Sequence, residues 1–129
     1  MSVPRRALGA GWEQVVRLYL EQQGWQILDV NYRSPFGELD IVALEPTKDG
    51  PVVVFVEVRA RRSRRYGTPA ESVSGTKQAR LLATAYQWLA EHAMGEAEPA
   101  CRFDVAAVSI GSNGNAKITL FRGAFDASP

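Results

Sequence analysis

Apolar residues follow two different periods along the chain, and each period predicts its own kind of element. An apolar stripe with helical spacing runs from Gly11 to Gly24, where the glycine ends the helix. A second helix follows an N-cap at Ser74 and continues to about Ala93. Segments rich in branched and aromatic residues predict five strands, at 25–32, 38–45, 52–59, 102–110 and 117–122.

This order of elements, α-β-β-β-α-β-β, predicts an α/β fold with a mixed central sheet flanked by helices. The third strand is apolar on both faces until its C-terminal end, which is typical of a central strand that is covered on both sides. A chain of 129 residues is long enough for one hydrophobic core and too short for two. We therefore predict one domain over residues 1–129, with residues 1–8 as a frayed arm.

Composition excludes several classes of protein. Apolar residues make up 46% of the chain and charged residues 22%, which argues against disorder and against a coiled coil. The single cysteine, Cys101, excludes an internal disulfide, and with the single histidine, His92, it excludes the usual zinc sites. No apolar run is long enough for a membrane span, and Glu13 interrupts the chain before a signal-peptide segment forms. We expect a cytoplasmic protein with no membrane partner.

The net charge is only +1, but the cations are unevenly distributed. Residues 59–80 hold seven cations against one acid, Glu71, which gives this segment a net charge of +6 and leaves −5 on the rest of the chain. Such a block predicts a surface for anions, most commonly the phosphate backbone of nucleic acid. The alternatives are a solvated arginine-rich loop and an adaptor that binds an acidic protein. The predicted nucleic-acid contacts are Arg61, Arg62, Arg64, Arg65, Lys77 and Arg80.

Two acidic residues lie in otherwise apolar strands, Asp40 in the second and Glu57 in the third. Charges in a covered strand are unfavourable unless they are paired or bind a metal. A turn centred between residues 48 and 49 gives an antiparallel register in which Asp40 faces Glu57, and Glu38 faces Arg59. Opposed carboxylates repel each other unless a divalent cation lies between them. The alternative is an ordinary ion pair between Glu38 and Arg59, with the other two acids facing solvent.

Three motifs, one each in the second, third and fourth predicted strands, resemble a known family: residues 37–42 (GELDIV), 54–59 (VFVEVR) and 102–105 (RFDV). They resemble the YraN family of bacterial proteins, which is similar to archaeal Holliday-junction resolvases and belongs to the PD-(D/E)XK nuclease superfamily. The resemblance extends from about Gly9 to Phe125. It implies a restriction-endonuclease-like αβββαβ core, in agreement with the order of elements. It also implies a homodimer, because cutting two strands requires two sites.

Site residues follow from the same resemblance. Asp40 and Glu57 match the two metal-binding carboxylates, and Glu13 matches a glutamate of the first helix that approaches the metal. Arg59 occupies the place of a lysine that positions or activates the attacking water. Arginine can stabilise a phosphate oxygen but cannot serve as a base, because it stays protonated. The resemblance therefore implies four catalytic residues, Glu13, Asp40, Glu57 and Arg59, with Mg²⁺ or Mn²⁺ held by the three carboxylates.

Two functions fit this set of residues. The first is a metal-dependent endonuclease that acts on DNA phosphodiesters. The second is a nucleic-acid-binding module of the same fold with weak or no catalysis, which the arginine at position 59 favours. The adaptor is a third, more remote interpretation. Asp104, in the last motif, either supports the site or pairs with Arg102 or Lys117.

Overall fold

The computed structural model describes residues 11–61, 75–92, 99–111 and 114–125. The helices are α1 (Trp12–Gln22) and α2 (Gly75–Glu91). The strands are β1 (Gln26–Ser34), β2 (Gly37–Glu45), β3 (Val52–Arg61), β4 (Cys101–Ile110) and β5 (Ala116–Phe125). This order confirms the predicted α/β class. The predicted arm and the predicted helix ends at Ser74 and Ala93 lie outside the described residues.

The five strands form one sheet in the order β1-β2-β3-β4-β5. Neighbouring strands are antiparallel except for β3 and β4, which are parallel and are joined through α2. Parallel neighbours need a crossover connection, and the helix is part of it. The mixed sheet with β3 at its centre is consistent with a restriction-endonuclease-like αβββαβ core. No helix in the described part of the chain is long and apolar enough to cross a membrane.

Side chains of β3 alternate between two cores, one beneath each helix. Val54 lies in a buried cluster with Leu20 of α1. Phe55 lies in the other cluster and packs edge to face on Trp88 of α2, with ring centroids 6.1 Å apart. By the same alternation, Glu57 extends from β3 on the side of α2.

The C-terminal half of α2 is fixed to β1 by polar contacts. The indole Nε1 of Trp88 donates a hydrogen bond to Oδ2 of Asp29 at 2.9 Å. The hydroxyl of Tyr32 donates one to Glu91 at 2.6 Å. Asp29 lies at a register shift between β1 and β2, where the irregular backbone turns its carboxylate towards the helix. These contacts hold α2 against the sheet, so that its first turn lies near Glu57 of β3.

Strand β5 is longer than the predicted segment 117–122. It continues to Phe125 through Gly123, which has a φ of +61°. The glycine is accommodated because the register against β4 shifts there, and the carboxylate of Asp104 accepts a hydrogen bond from its N–H at 2.9 Å. A glycine that the sequence pattern treats as the end of the strand is therefore part of a bulge.

A charged cluster whose two acids are buried joins β4 to the end of β2 that lies far from Asp40. Asp104 accepts hydrogen bonds from Arg102 at 2.7 and 2.8 Å, so of its predicted partners Arg102 is confirmed. Glu45 binds both Arg102 and Arg122 at 2.8 Å. Burial alone would raise the pKa of Glu45, but hydrogen bonds from these arginines outweigh it and lower that pKa. The cluster neutralises its own charges and is structural.

Candidate functional site

Strands β2 and β3 pair in the predicted register and then separate. The ladder joins residues 41–45 of β2 to residues 52–56 of β3, which confirms the predicted turn. Asp40 and Glu57 are the next residues along, one position beyond the last pair. Oδ2 of Asp40 accepts a hydrogen bond from the N–H of Val58 at 2.8 Å. The side chain thus replaces a ladder bond and fixes its own carboxylate at the point where the strands diverge.

Asp40 is surrounded by other carboxylates. Burial, followed by the charge of Glu57, raises its pKa from 3.8 to about 6, although the hydrogen bond from Val58 opposes the change. Glu13 and Glu38 raise this pKa further by smaller amounts. The role predicted for Glu13 at the start of α1 stays a prediction. The position of Asp40 favours either a proton or a bound cation.

Glu57 differs from Asp40 because it has cationic partners. Nζ of Lys77 lies 2.8 Å from Oε1 of Glu57, and Nε of Arg59 lies 3.5 Å from the same oxygen. The contact of Arg59 is electrostatic only, because its buried Nε has no hydrogen-bond acceptor among the described residues. By contrast, the charges that act on Asp40 are negative. Two adjacent carboxylates therefore have opposite electrostatic surroundings.

A cleft of about 360 Å³ opens beside the separated strands. Its walls contain three carboxylates of the sheet and two cations of α2: Glu38, Asp40, Glu57, Lys77 and Arg80. Arg59 is not among the residues that line it. This arrangement can hold a cation against the sheet and an anion against the helix.

Gly11 is the residue immediately before α1 and lies close to the side chain of Glu13. Its φ of +108° is one that side chains rarely adopt. A Cβ at this position would lie 3.0 Å from Oε2 of Glu13. The glutamate therefore folds back towards the residue before the helix, in space that a larger residue at position 11 would occupy.

Of the predicted catalytic residues, Asp40 and Glu57 line the cleft and Arg59 contacts Glu57, but they do not form a closed set of ligands. Within the described ranges, no three Asp, Glu, His or Cys side chains form a group that could hold one metal ion. Arg59 contacts Glu57 and not Glu38, the residue expected opposite it. Glu38 instead lies 3.4 Å from Arg33, with both side chains exposed. The predicted ion pair between Glu38 and Arg59 is therefore wrong, because the pairing of β2 with β3 ends before it reaches these two residues.

Half of the predicted nucleic-acid contacts can be placed. Lys77 and Arg80 line the cleft, and Arg61 is the last residue of β3. Arg62, Arg64 and Arg65 lie outside the described residues. The basic surface predicted for the connecting segment, which holds Arg61, Arg62, Arg64 and Arg65, stays a prediction, whereas Lys77 and Arg80 of α2 line the cleft.

The contact of Lys77 with Glu57 is what the sequence pattern did not predict. Proximity in sequence groups Lys77 with the arginines before it. The signal that could have found the contact is topological, because a helix between two parallel strands begins near the C-terminal end of the first strand. Lys77 lies in the first turn of α2, and Glu57 lies towards the end of β3.

Family comparison covers this whole region. The model of Uncharacterised protein family UPF0102 matches residues 12–108, a span that includes the cleft and all three motifs. Among similar proteins, the UPF0102 protein of Symbiobacterium thermophilum is 43% identical over 122 residues and covers 95% of this chain and 98% of its own. That of Rhodococcus opacus is 43% identical over 119 residues and covers 92% and 96%.

One solved structure is similar at a low level. The structure of Pyrococcus furiosus SfsA in complex with Ca²⁺ matches with a TM-score of 0.41 and 14% sequence identity. The match covers 91% of this chain and 63% of that one.

Proposed function

The chain belongs to the UPF0102 family, which the three motifs identify as YraN, and from this premise we propose that it binds nucleic acid in the acidic cleft and hydrolyses phosphodiesters with a divalent metal ion. One observation carries the proposal: Asp40 and Glu57 lie side by side where two strands separate, opposite the cations of α2. DNA as the substrate, and a homodimer as the active form, are parts of the proposal that follow from the resemblance.

The donor atoms of the cleft suit a hard divalent cation. Carboxylate oxygens are the ligands that Mg²⁺ and Mn²⁺ prefer, and Asp40 and Glu57 would hold the ion as a pair. Water and phosphate oxygens would complete the coordination, with Glu13 assisting from α1. Burial is the main cause of the raised pKa of Asp40, and the neighbouring carboxylates that add to it would favour a cation there. A bound ion would activate water and offset the charge that develops on the phosphate.

The protein's own groups would orient the carboxylates and the substrate. The N–H of Val58 holds the carboxylate of Asp40 in one orientation. Lys77 and Arg80 supply positive charge on the wall opposite the acids, where a phosphate would be drawn. The arginines of the connecting segment would extend this contact along the backbone of the nucleic acid without reading its sequence.

A binding module with weak or no catalysis is the second candidate. The specific observation that favours it is the position of Arg59, which replaces the motif lysine and does not line the cleft. The same cleft would then bind a nucleic acid and a metal without turnover. The adaptor interpretation rests on the arginines of the connecting segment alone.

Calorimetry with Mn²⁺, together with single-turnover cleavage of labelled duplex, junction and flap DNA, tests the proposal. We expect Mn²⁺ binding that Asp40→Asn and Glu57→Gln each weaken strongly, and metal-dependent cleavage that Asp40→Asn abolishes. Asp49→Asn is the matched control, because Asp49 lies in the exposed turn between β2 and β3.

Each result has a defined meaning. Metal binding without cleavage on any substrate selects the binding module. Mn²⁺ binding that both substitutions leave intact would place the metal elsewhere and contradict the proposed cleft. Binding of an acidic protein in place of nucleic acid would select the adaptor.

A further inference from the structure

Two cations contact the same oxygen of Glu57, but from different directions. Lys77 approaches from α2 at 2.8 Å and lines the cleft. Arg59 approaches along β3 at 3.5 Å and does not line it. The side chain of Lys77 is 40% exposed and that of Arg59 is 24% exposed, with its Nε buried. Of these two cations, Lys77 lines the cleft and is the more exposed, so it is the better placed to reach a molecule there.

We infer that Lys77 is an exchangeable counterion of Glu57: its ammonium neutralises the carboxylate until a divalent cation takes over that oxygen, and then contacts the substrate phosphate. The inference rests on the proposed function and assigns to α2 the cationic role that the motif places on β3. Arg59 remains an electrostatic partner of Glu57 outside the lining of the cleft.

The exchange follows from the geometry at Oε1. Lys77 contacts Oε1 of Glu57 at 2.8 Å, so a divalent cation that coordinates this oxygen would compete with the ammonium for it. A divalent cation and an ammonium repel each other, so they would not share one oxygen at contact distance. The released ammonium would stay near the cleft, because contacts between Trp88 and Asp29 anchor α2 to the sheet. A flexible four-carbon stem allows the movement, which the more rigid fork of arginine would restrict.

A purely structural ion pair is the alternative. In that case the ion pair would only hold the start of α2 against β3, and replacing Lys77 would make the position of the cleft walls less well defined. A loosened cleft would bind both metal and nucleic acid less tightly. The exchange instead requires that the loss of Lys77 change the two affinities in opposite directions.

The experiment measures these two affinities in the full chain. Calorimetry gives the Kd for Mn²⁺, and fluorescence anisotropy gives the Kd for a short DNA duplex at saturating Ca²⁺. We expect Lys77→Gln to tighten Mn²⁺ binding about fivefold, the scale of a partly exposed ion pair, and to weaken duplex binding. Arg80→Gln is the matched control on the same helix and the same wall. It should weaken duplex binding and change the affinity for Mn²⁺ by less than about twofold.

The outcomes separate this inference from the proposed function. Mn²⁺ binding that Lys77→Gln leaves unchanged or weakens would overturn the exchange, while the proposed metal site would stand. An equal gain in Mn²⁺ affinity from Lys77→Gln and from Arg80→Gln would also overturn the exchange, because the gain would then be a general effect of removing positive charge. If neither the natural chain nor any variant binds Mn²⁺, the proposed function itself fails.

Discussion

The backbone N–H of Val58 donates a hydrogen bond to the carboxylate of Asp40 at 2.8 Å, across the point where two paired strands separate. A side chain here makes the bond that a neighbouring strand would otherwise make. This bond retains an anion at a place where burial and three other carboxylates oppose it. Asp40 is therefore held in place at the expense of the stability of the metal-free protein.

Replacing Asp40 by asparagine is expected to stabilise the metal-free protein at neutral pH. Because the pKa of Asp40 is about 6 in the folded protein and 3.8 ordinarily, the folded state binds its proton more tightly. Stability conferred by that proton is present below about pH 4 and is lost as pH rises to about 6. Asparagine removes this loss and can still accept the bond from Val58. The gain in the free energy of unfolding should be about 1 to 3 kcal/mol near neutral pH.

Urea unfolding without metal, near pH 7.5 and again near pH 3.5, measures this gain. The difference between the variant and the natural chain should disappear at the lower pH, where Asp40 is protonated. Asp49→Asn serves as the control and should change little at either pH. A gain of equal size at both values would show that charge is not its cause.

Trp88→Phe is expected to destabilise the fold by about 2 kcal/mol or more. The change leaves Asp29 without the indole donor and opens space beside Phe55 in the core. Chemical denaturation measures the loss. Tyr86→Phe is the comparison on the same helix, since Tyr86 is exposed and its replacement should alter stability little. Equal losses from the two variants would argue against the anchoring role of Trp88.

Arg59→Lys is expected to change the cleavage rate by less than about threefold. The motif alone predicts a gain of at least about tenfold from restoring the lysine. The structure alters this expectation, because position 59 lies outside the cleft lining and Lys77 supplies an ammonium inside it. Single-turnover cleavage of labelled DNA distinguishes the two expectations. A gain of tenfold would return the cationic role to β3.

Replacing the four arginines of the connecting segment by alanine is expected to weaken DNA binding equally for all sequences. Phosphate contacts position a duplex without specifying it, and each one lost lowers the slope of log K against log salt by about 0.9. Titrations at several salt concentrations measure the slope for this variant, with Arg61, Arg62, Arg64 and Arg65 changed. Arg17→Ala, in an ion pair on α1, is the control. An unchanged slope would favour an acidic protein as the partner.

The register of β2 and β3 could be predicted because a short turn and a clear apolar pattern both specify it. The same register could not show where pairing would stop. That point depends on Asp40, whose side chain takes over a backbone bond at Val58. The pattern predicts which residues are adjacent in the sheet, and the competition between side-chain and backbone bonds decides whether they pair.

The contact of Lys77 with Glu57 and the end of β5 could not be predicted from local patterns, because both depend on distant parts of the chain. The contact of Lys77 with Glu57 needs the crossing of α2 over the sheet. The passage of β5 through Gly123 needs a hydrogen bond from that residue to the buried Asp104. Local patterns carry no information on such partners, and here they underestimate one strand and place one cation outside the site.

The early end of the β2–β3 ladder has a consequence for the order of folding. The paired segments, 41–45 and 52–56, are joined by a short turn, and closing this hairpin brings Asp40 and Glu57 next to each other, one position beyond the last pair. The pairing of β3 with β4 closes a much longer loop, and α2 arrives with it. We expect the hairpin to form early, so that the two acids meet before Lys77 reaches Glu57. Repulsion between the acids therefore opposes the first step of folding, and the docking of α2 relieves it.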